Sequence, residues 1–485
     1  MNWWILKRKI HVSWLIAIVC VGIFIGVFSA QYIRSQSVSL TVFLLMSLVI
    51  IAVGLWNRYI YLVPILLFGG LLLGLWRGSV IQGELNNYKP LFNRVILVEG
   101  VVKDDIDVSD SNQIAIRLDN INIDSKDFSD VLWVTSSAQQ EIKRGDKLLL
   151  KGTLKRGFGN FSGVIYRADI IRITNSSNSD IALTIRDWFG NSVRQVIPDP
   201  ESSLGIGFLT GQRRTLPADL SYTLQMAGLT HIVVASGYNL TILVRLSRRL
   251  FVKISKYLSI LSGGLMIISF IAITGNSPSM SRAGLVSGLS LLAWYYGRKF
   301  HPIILLLIAI AITLLINPSY AWGDLGWQLS FAAFAGVIIL APLLQRYLFG
   351  EKKPGTIRQI LIETVSAQIA TFPILIASFG QLSNVAIISN LLILPLVPVA
   401  MLLTFIAGIF NLTLPSIAIY IAMPAQWMLG YMINVAEYLA SLPWAVSIVN
   451  LSWWGVVVCY TFIMIVCLYI WRVTNYNLRD VNLVE

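Results

Sequence analysis

Apolar runs recur along the chain at about 12–30, 38–56, 60–76, 230–244, 257–274, 282–296, 302–316, 325–345, 360–379, 385–410, 416–441 and 450–471. Each approaches the roughly 20 residues that carry a helix across a bilayer's hydrocarbon core. The pattern predicts about twelve spans. Between the third and the fourth lies a hydrophilic block, 77–201, where the period changes. Runs at 94–102, 113–119, 131–137, 147–154 and 164–173 alternate apolar and polar residues, as in Ala115-Ile116-Arg117-Leu118, and predict half-buried strands. From Ile181 to Ile197 apolar residues return every three or four positions. They place Ile181, Ile185, Trp188, Phe189, Val193 and Val196 on one stripe of an amphipathic helix, lying on the membrane's outer surface or packed on the barrel.

Five strands in about 80 residues fit a small closed barrel of the OB type. The expected fold class is therefore a polytopic α-helical membrane protein with an extracytoplasmic OB-like β-barrel domain inserted after three N-terminal spans. The expected divisions are three helices over 1–76, the β-domain over 77–178, an interfacial helix over 179–201, a membrane bundle over 202–475 and a tail over 476–485.

Composition supports the membrane reading: 56% of residues are hydrophobic and 13% charged, against roughly a quarter charged in soluble domains. The net charge of +13 first suggests a nucleic-acid partner, but its distribution says otherwise. Residues 1–76 carry five bases and no acid, 77–201 sixteen bases and seventeen acids, and 202–485 sixteen bases and seven acids. Lys7-Arg8-Lys9 before the first run predicts a retained anchor with a cytoplasmic N-terminus. The loops then alternate. Arg245, Arg248, Arg249, Lys253 and Lys256, then Arg298 and Lys299, then Arg346, Lys352, Lys353 and Arg358, then Arg472 and Arg479 fall on the cytoplasmic side. Most of the excess is thus a topology signal. It predicts a multi-pass membrane protein with both termini cytoplasmic and the β-domain outside.

The β-domain's charge is polarised. Residues 99–130 hold nine acids and three bases, and 140–175 hold eight bases and three acids. Lys151, Lys155, Arg156 and Arg167, with Phe158, Phe161 and Tyr166 nearby, suit a basic face with rings for a single strand. A solvated barrel face fits them as well.

Three cysteines in apolar runs and three histidines (His11, His231 and His301) imply no metal site and no cofactor. No nucleotide or zinc motif is present, so any driving energy comes from a separate motor. The informative segment is 205–240. Leu216 to Ala227 predicts an amphipathic helix capped by Thr215 or Leu216, with Pro217 in its first turn and Asp219 at its positive end. Then Gly228-Leu229-Thr230-His231 enters an apolar run that breaks at Ala235-Ser236-Gly237-Tyr238-Asn239. Polar breaks inside spans survive where they face a cavity or packed protein, and in transporters they form the substrate site.

GLTHIVVASGYNL resembles the signature of the ComEC competence-protein family. Ser281-Arg282-Ala283, Asn317-Pro318, Asp324-Leu325-Gly326-Trp327-Gln328-Leu329-Ser330-Phe331, then Gln368, Thr371, Pro373, Phe379-Gly380, Asn390 and Pro395 continue that family's order. The resemblance covers about 200–410, and Arg144-Gly145-Asp146 with Gly152 extends it to the β-domain. It implies an inner-membrane channel that passes single-stranded DNA to the cytoplasm during natural transformation. Its implied partners are an outer DNA receptor and a cytoplasmic helicase-like ATPase. Channel-lining candidates are then His231, Ser236, Gly237, Asn239, Arg282, Asp324 and Gln328. Arg213 and Arg214 would guide the polyanion to the mouth with Lys151, Lys155, Arg156 and Arg167. Asn239 stands where many members have histidine. Full-length members commonly end in a metallo-β-lactamase-like nuclease domain that this sequence lacks, so no enzymatic activity is expected and a separate nuclease is implied. A small-solute or envelope-polymer transporter is the alternative. An intramembrane serine protease using Ser236 and His231 is a weaker one, because five residues' separation turns them to different helix sides.

Overall fold

The computed structural model describes residues 9–32, 40–108, 113–128, 130–137, 142–175, 180–211, 216–233, 237–275, 278–297, 301–351 and 354–474. Two compact units emerge, 1–176 with 300–328, and 177–299 with 329–485. Residues 300–328 group with the N-terminal region. Among the described residues eight helices are long and apolar enough to cross a membrane, and Thr41–Asn57 and Pro302–Ile316 are shorter apolar helices. The expected run at 282–296 lies in the helix Pro278–Tyr295, and within 230–244 the described helices are Thr230–Val233 and the start of Gly237–Phe251.

In the first unit, Val12–Ala30 packs along Val63–Tyr88, with Leu40–Asn57 and Pro302–Ile316 beside them. Glycines set the closest approach. A Cβ on Gly22, Gly26, Gly70 or Gly74 would stand 2.2–2.3 Å from a backbone oxygen of the facing helix. Two glycines four residues apart on each helix thus let the backbones touch, as small residues do at membrane-helix contacts.

The helix Val63–Tyr88 continues past the expected boundary at 77, so the barrel begins only at Val95. Its strands are β1 (Val95–Val102), β2 (Asp107–Val108), β3 (Gln113–Ile123), β4 (Lys126–Phe128), β5 (Leu132–Ser137), β6 (Lys147–Arg156), β7 (Gly163–Ile165) and β8 (Asp169–Thr174). Neighbours run β1-β3-β5-β7-β6, and β6 pairs back with β1, which closes five strands. β5 and β7 pair in parallel; the other barrel pairs are antiparallel. This is the OB arrangement. Alternation puts Val98, Ile116, Leu118, Val134, Leu148, Leu150, Leu154 and Ile165 inside, all with no exposed surface. The run expected as one strand at 164–173 is two. Arg167 takes a left-handed φ of 51°, and the kink lets Ala168 N–H donate to Thr135 O at 2.8 Å.

In the second unit, Ile181–Arg194 is capped by Asp180, whose Oδ1 accepts from Ala182 and Leu183 N–H at 3.0 and 3.2 Å. The predicted stripe divides. Phe189 and Val193 pack against Gly408, while Ile181, Ile185 and Trp188 stay exposed. Leu204, Phe208, Leu224, Leu229, Val397 and Met432 form a core joining Glu201–Thr210, Ala218–Met226, Val397–Thr413 and Pro415–Ala440. A second core, with Leu240, Val244, Ile267, Phe270 and Leu291, joins Gly237–Phe251, Lys256–Thr274 and Pro278–Tyr295.

Candidate functional site

The broken span begins with a turn. Ala218–Met226 starts two residues later than predicted, with Pro217 as its N-cap and Asp219 in its first turn. At its end Gly228 takes a φ of +73°, and an added Cβ would lie 2.5 Å from Ala386 Cβ, so glycine alone fits. Two hydroxyls hold the carbonyls at this helix end: Ser383 Oγ donates to Met226 O and Ser389 Oγ to Ala227 O, both at 2.7 Å. The turn releases the chain into the short helix Thr230–Val233, on which the His231 side chain is exposed.

The helix Gly237–Phe251 begins at a glycine. There the space a Cβ would take lies 3.7 Å from Arg282 Nη2 and 3.1 Å from Ala283 Cβ. Arg282 is 8% exposed, and its guanidinium carbon lies 5.5 Å from the centre of the Phe331 ring. A glycine backbone therefore lies against a buried cation that an aromatic face supports. Asn239 is fully buried, and its Nδ2 donates to Phe208 O at 3.1 Å. Phe208 is in the last turn of Glu201–Thr210, so Asn239 satisfies a carbonyl that helix leaves open. Ser236, Arg213 and Arg214 lie outside the described residues.

Asp324 belongs to the first unit and works as a clasp. Its Oδ1 accepts from Trp327 N–H at 2.7 Å, capping the helix that follows, and its Oδ2 accepts from Asn160 Nδ2 at 2.7 Å. Asn160 sits on the β6–β7 loop. There Gly159 (φ +62°) lies so close to Gly323 that a Cβ on Gly323 would stand 2.5 Å from its backbone. Trp327 is buried and its Nε1 donates to Thr313 Oγ1 at 3.0 Å. Gln328 makes a long contact, Nε2 to Ala321 O at 3.5 Å.

Burial, the largest influence, raises the Asp324 pKa above its ordinary value, against the opposing pull of Trp327 N–H, the Arg117 charge and Gly326 N–H. A raised folded value favours the acid form, so stability is greatest below the ordinary pKa and declines as pH rises through the raised one. Asp324→Asn keeps a capping oxygen and is expected to flatten that decline. Asp324→Ala is expected to cost about 1 kcal/mol through the lost cap. Thermal unfolding of the two variants across pH 4–8 checks this; equal stability at all pH values would remove the clasp role.

On the barrel, Lys147, Lys151 and Lys155 project from the outer face of β6, each four residues from the next. Lys155 Nζ lies 5.6 Å from the centre of the half-exposed Tyr166 ring, and Arg156 is exposed. Arg167, in the kink, donates its N–H to Thr135 Oγ1 at 3.0 Å. The register makes a row across four strands, Lys155 to Val164 to Trp133 to Arg117. At strand spacing it is about 14 Å long. Trp133 packs against Phe161 and Phe158 at 5.1 and 5.8 Å, and Arg117 lies 5.7 Å from the Trp133 ring centre. Sequence reasoning found Phe158 and Phe161 but missed Trp133, Arg117 and Asn160, because their partners come from other strands or from a helix 164 positions away.

A multi-pass helical membrane protein with a closed five-stranded OB barrel after its N-terminal helices is the class these features define. The chain belongs to the Competence protein family, which matches residues 208–473. It is 23% identical over 238 residues to ComE operon protein 3 of Bacillus subtilis (strain 168). That alignment takes in 48% of this chain and spans 30% of the relative's length. No solved structure matches.

Proposed function

We propose that this protein conducts single-stranded DNA across the plasma membrane into the cytoplasm during natural transformation. The family match over 208–473 carries the reading, because it includes the broken span, Arg282 and the Asp324–Phe331 string. The barrel row supports it: rings flanked by a base at each end suit a flexible polyanion whose bases stack without sequence preference. Buried Arg282 beside the Gly237 backbone offers a cation inside the second unit. A conduit needs phosphate held weakly enough to leave.

The barrel then lies outside, with both termini in the cytoplasm. An outer receptor delivers the DNA, a separate nuclease supplies the single strand and a cytoplasmic ATPase pulls it through. The chain itself acts as a conduit and not as a catalyst. Cells in which the chromosomal gene is replaced by a null allele are expected to bind labelled donor DNA yet accumulate no strand protected from external nuclease. Protected uptake at the parental level would overturn the proposal, and loss of a small solute's uptake instead would favour a transporter.

A further inference from the structure

We propose that the helices Gly237–Phe251, Lys256–Thr274 and Pro278–Tyr295 build a binding site for the headgroup of an anionic phospholipid. Two cations converge on one indole: Arg248 Cζ lies 5.1 Å and Lys256 Nζ 5.7 Å from the Trp294 ring centre. Lys256 also lies 5.5 Å from the Tyr295 ring centre. Arg245, Arg249 and Lys253 are exposed on the same helix and the turn after it. Between Asp219 and Asp324 the sequence holds eight bases and no acid. Among the described residues neither Arg248 nor Lys256 makes an ion pair.

Like charges gathered at one helix end repel each other. Burial first, then Arg245 and Arg249, lower the Arg248 pKa from its ordinary value. An anion at Arg248 and Lys256 would relieve the repulsion from Arg245 and Arg249, and phosphate is the group a guanidinium fork and an ammonium bind together.

The surroundings favour a lipid as its source. Tyr257, Leu261, Leu265 and Ile268 are all more than half exposed and line one face of Lys256–Thr274, beginning one residue after Lys256. Leu250 and Ile254 are exposed beside them. A headgroup at Arg248 and Lys256 would therefore have acyl chains running down an apolar face, the pattern by which basic pockets between membrane helices hold acidic lipids. A path for nucleic acid would not be lined by bare leucine.

The test uses the full chain in phosphatidylcholine nanodiscs carrying a trace of spin-labelled phosphatidylglycerol or spin-labelled phosphatidylcholine. The wild-type protein is expected to immobilise the acidic lipid preferentially. Arg248→Gln and Lys256→Gln should each lower its relative association about fivefold, with the thermal unfolding profile retained. Trp294→Phe should keep most of the preference. Lys256→Gln, an exposed position at a helix start, keeps the test open should Arg248→Gln fail to fold. Unchanged selectivity in Lys256→Gln would overturn the site. Displacement of the labelled lipid by inorganic phosphate, or by an oligodeoxynucleotide, would overturn its assignment to a lipid.

Discussion

Arg282→Gln is expected to lower transformation about ten- to a hundredfold with protein level unchanged, the loss of one charge-assisted hydrogen bond of roughly 1.5–3 kcal/mol to a passing phosphate. The expectation rests on what burying a guanidinium costs. Removing it from water carries a penalty of several kcal/mol, and the Phe331 face offsets part of it. Gly237, without a side chain, leaves only backbone against the guanidinium. Arg282→Lys keeps the charge but loses the planar face over Phe331 and the fork that matches phosphate, so its transformation should be intermediate. Transformation of the chromosomal variants, normalised to protein in the membrane, decides the matter. Wild-type frequency in Arg282→Gln would sink Arg282 as a phosphate contact. A drop that merely tracks protein loss, in Gln and Lys alike, would make it structural.

The barrel and the membrane character were legible because both depend on local period. Continuous apolar runs and strict alternation are written along single segments, and the closed sheet needed only the five alternating runs. The fifth was misread as unbroken, since nothing in Tyr166-Arg167 announces a left-handed φ at a non-glycine residue. The candidate site was legible as a set of residues and illegible as an arrangement. The break at Ala235–Asn239 followed from polar residues in an apolar run. That Gly237 faces Arg282, and Arg282 faces Phe331, depends on helices far apart in the chain. Asp324 illustrates the limit. Its carboxylate read as a channel group; in the fold it caps the next helix and holds Asn160. Capping leaves a sequence signature; a hydrogen bond across 164 positions leaves none.

The glycine contact between Val12–Ala30 and Val63–Tyr88 went unread for the same reason, since neither sequence names the other as its partner, and it carries the second large effect. Gly26→Ala places a Cβ 2.2 Å from Leu71 O, and Gly74→Ala places one 2.3 Å from Ile23 O. Both obstacles are backbone, which no rotamer change moves, so the helices must separate along their whole contact. Overpacking of this kind costs about 1–3 kcal/mol. Gly83→Ala is the control. It changes the same residue type in the same helix, but its Cβ would meet nothing within 4 Å. That substitution should gain up to about 1 kcal/mol from helix propensity. Cys20 reports on the outcome, because it is 5% exposed on the first helix, two residues before Gly22. In a Cys459→Ala, Cys467→Ala background, a thiol dye should label Cys20 about five- to a hundredfold faster in Gly26→Ala and Gly74→Ala than in the parent. Gly83→Ala should label no faster. Equal labelling in all three would mean that the two helices do not rely on bare backbone to meet.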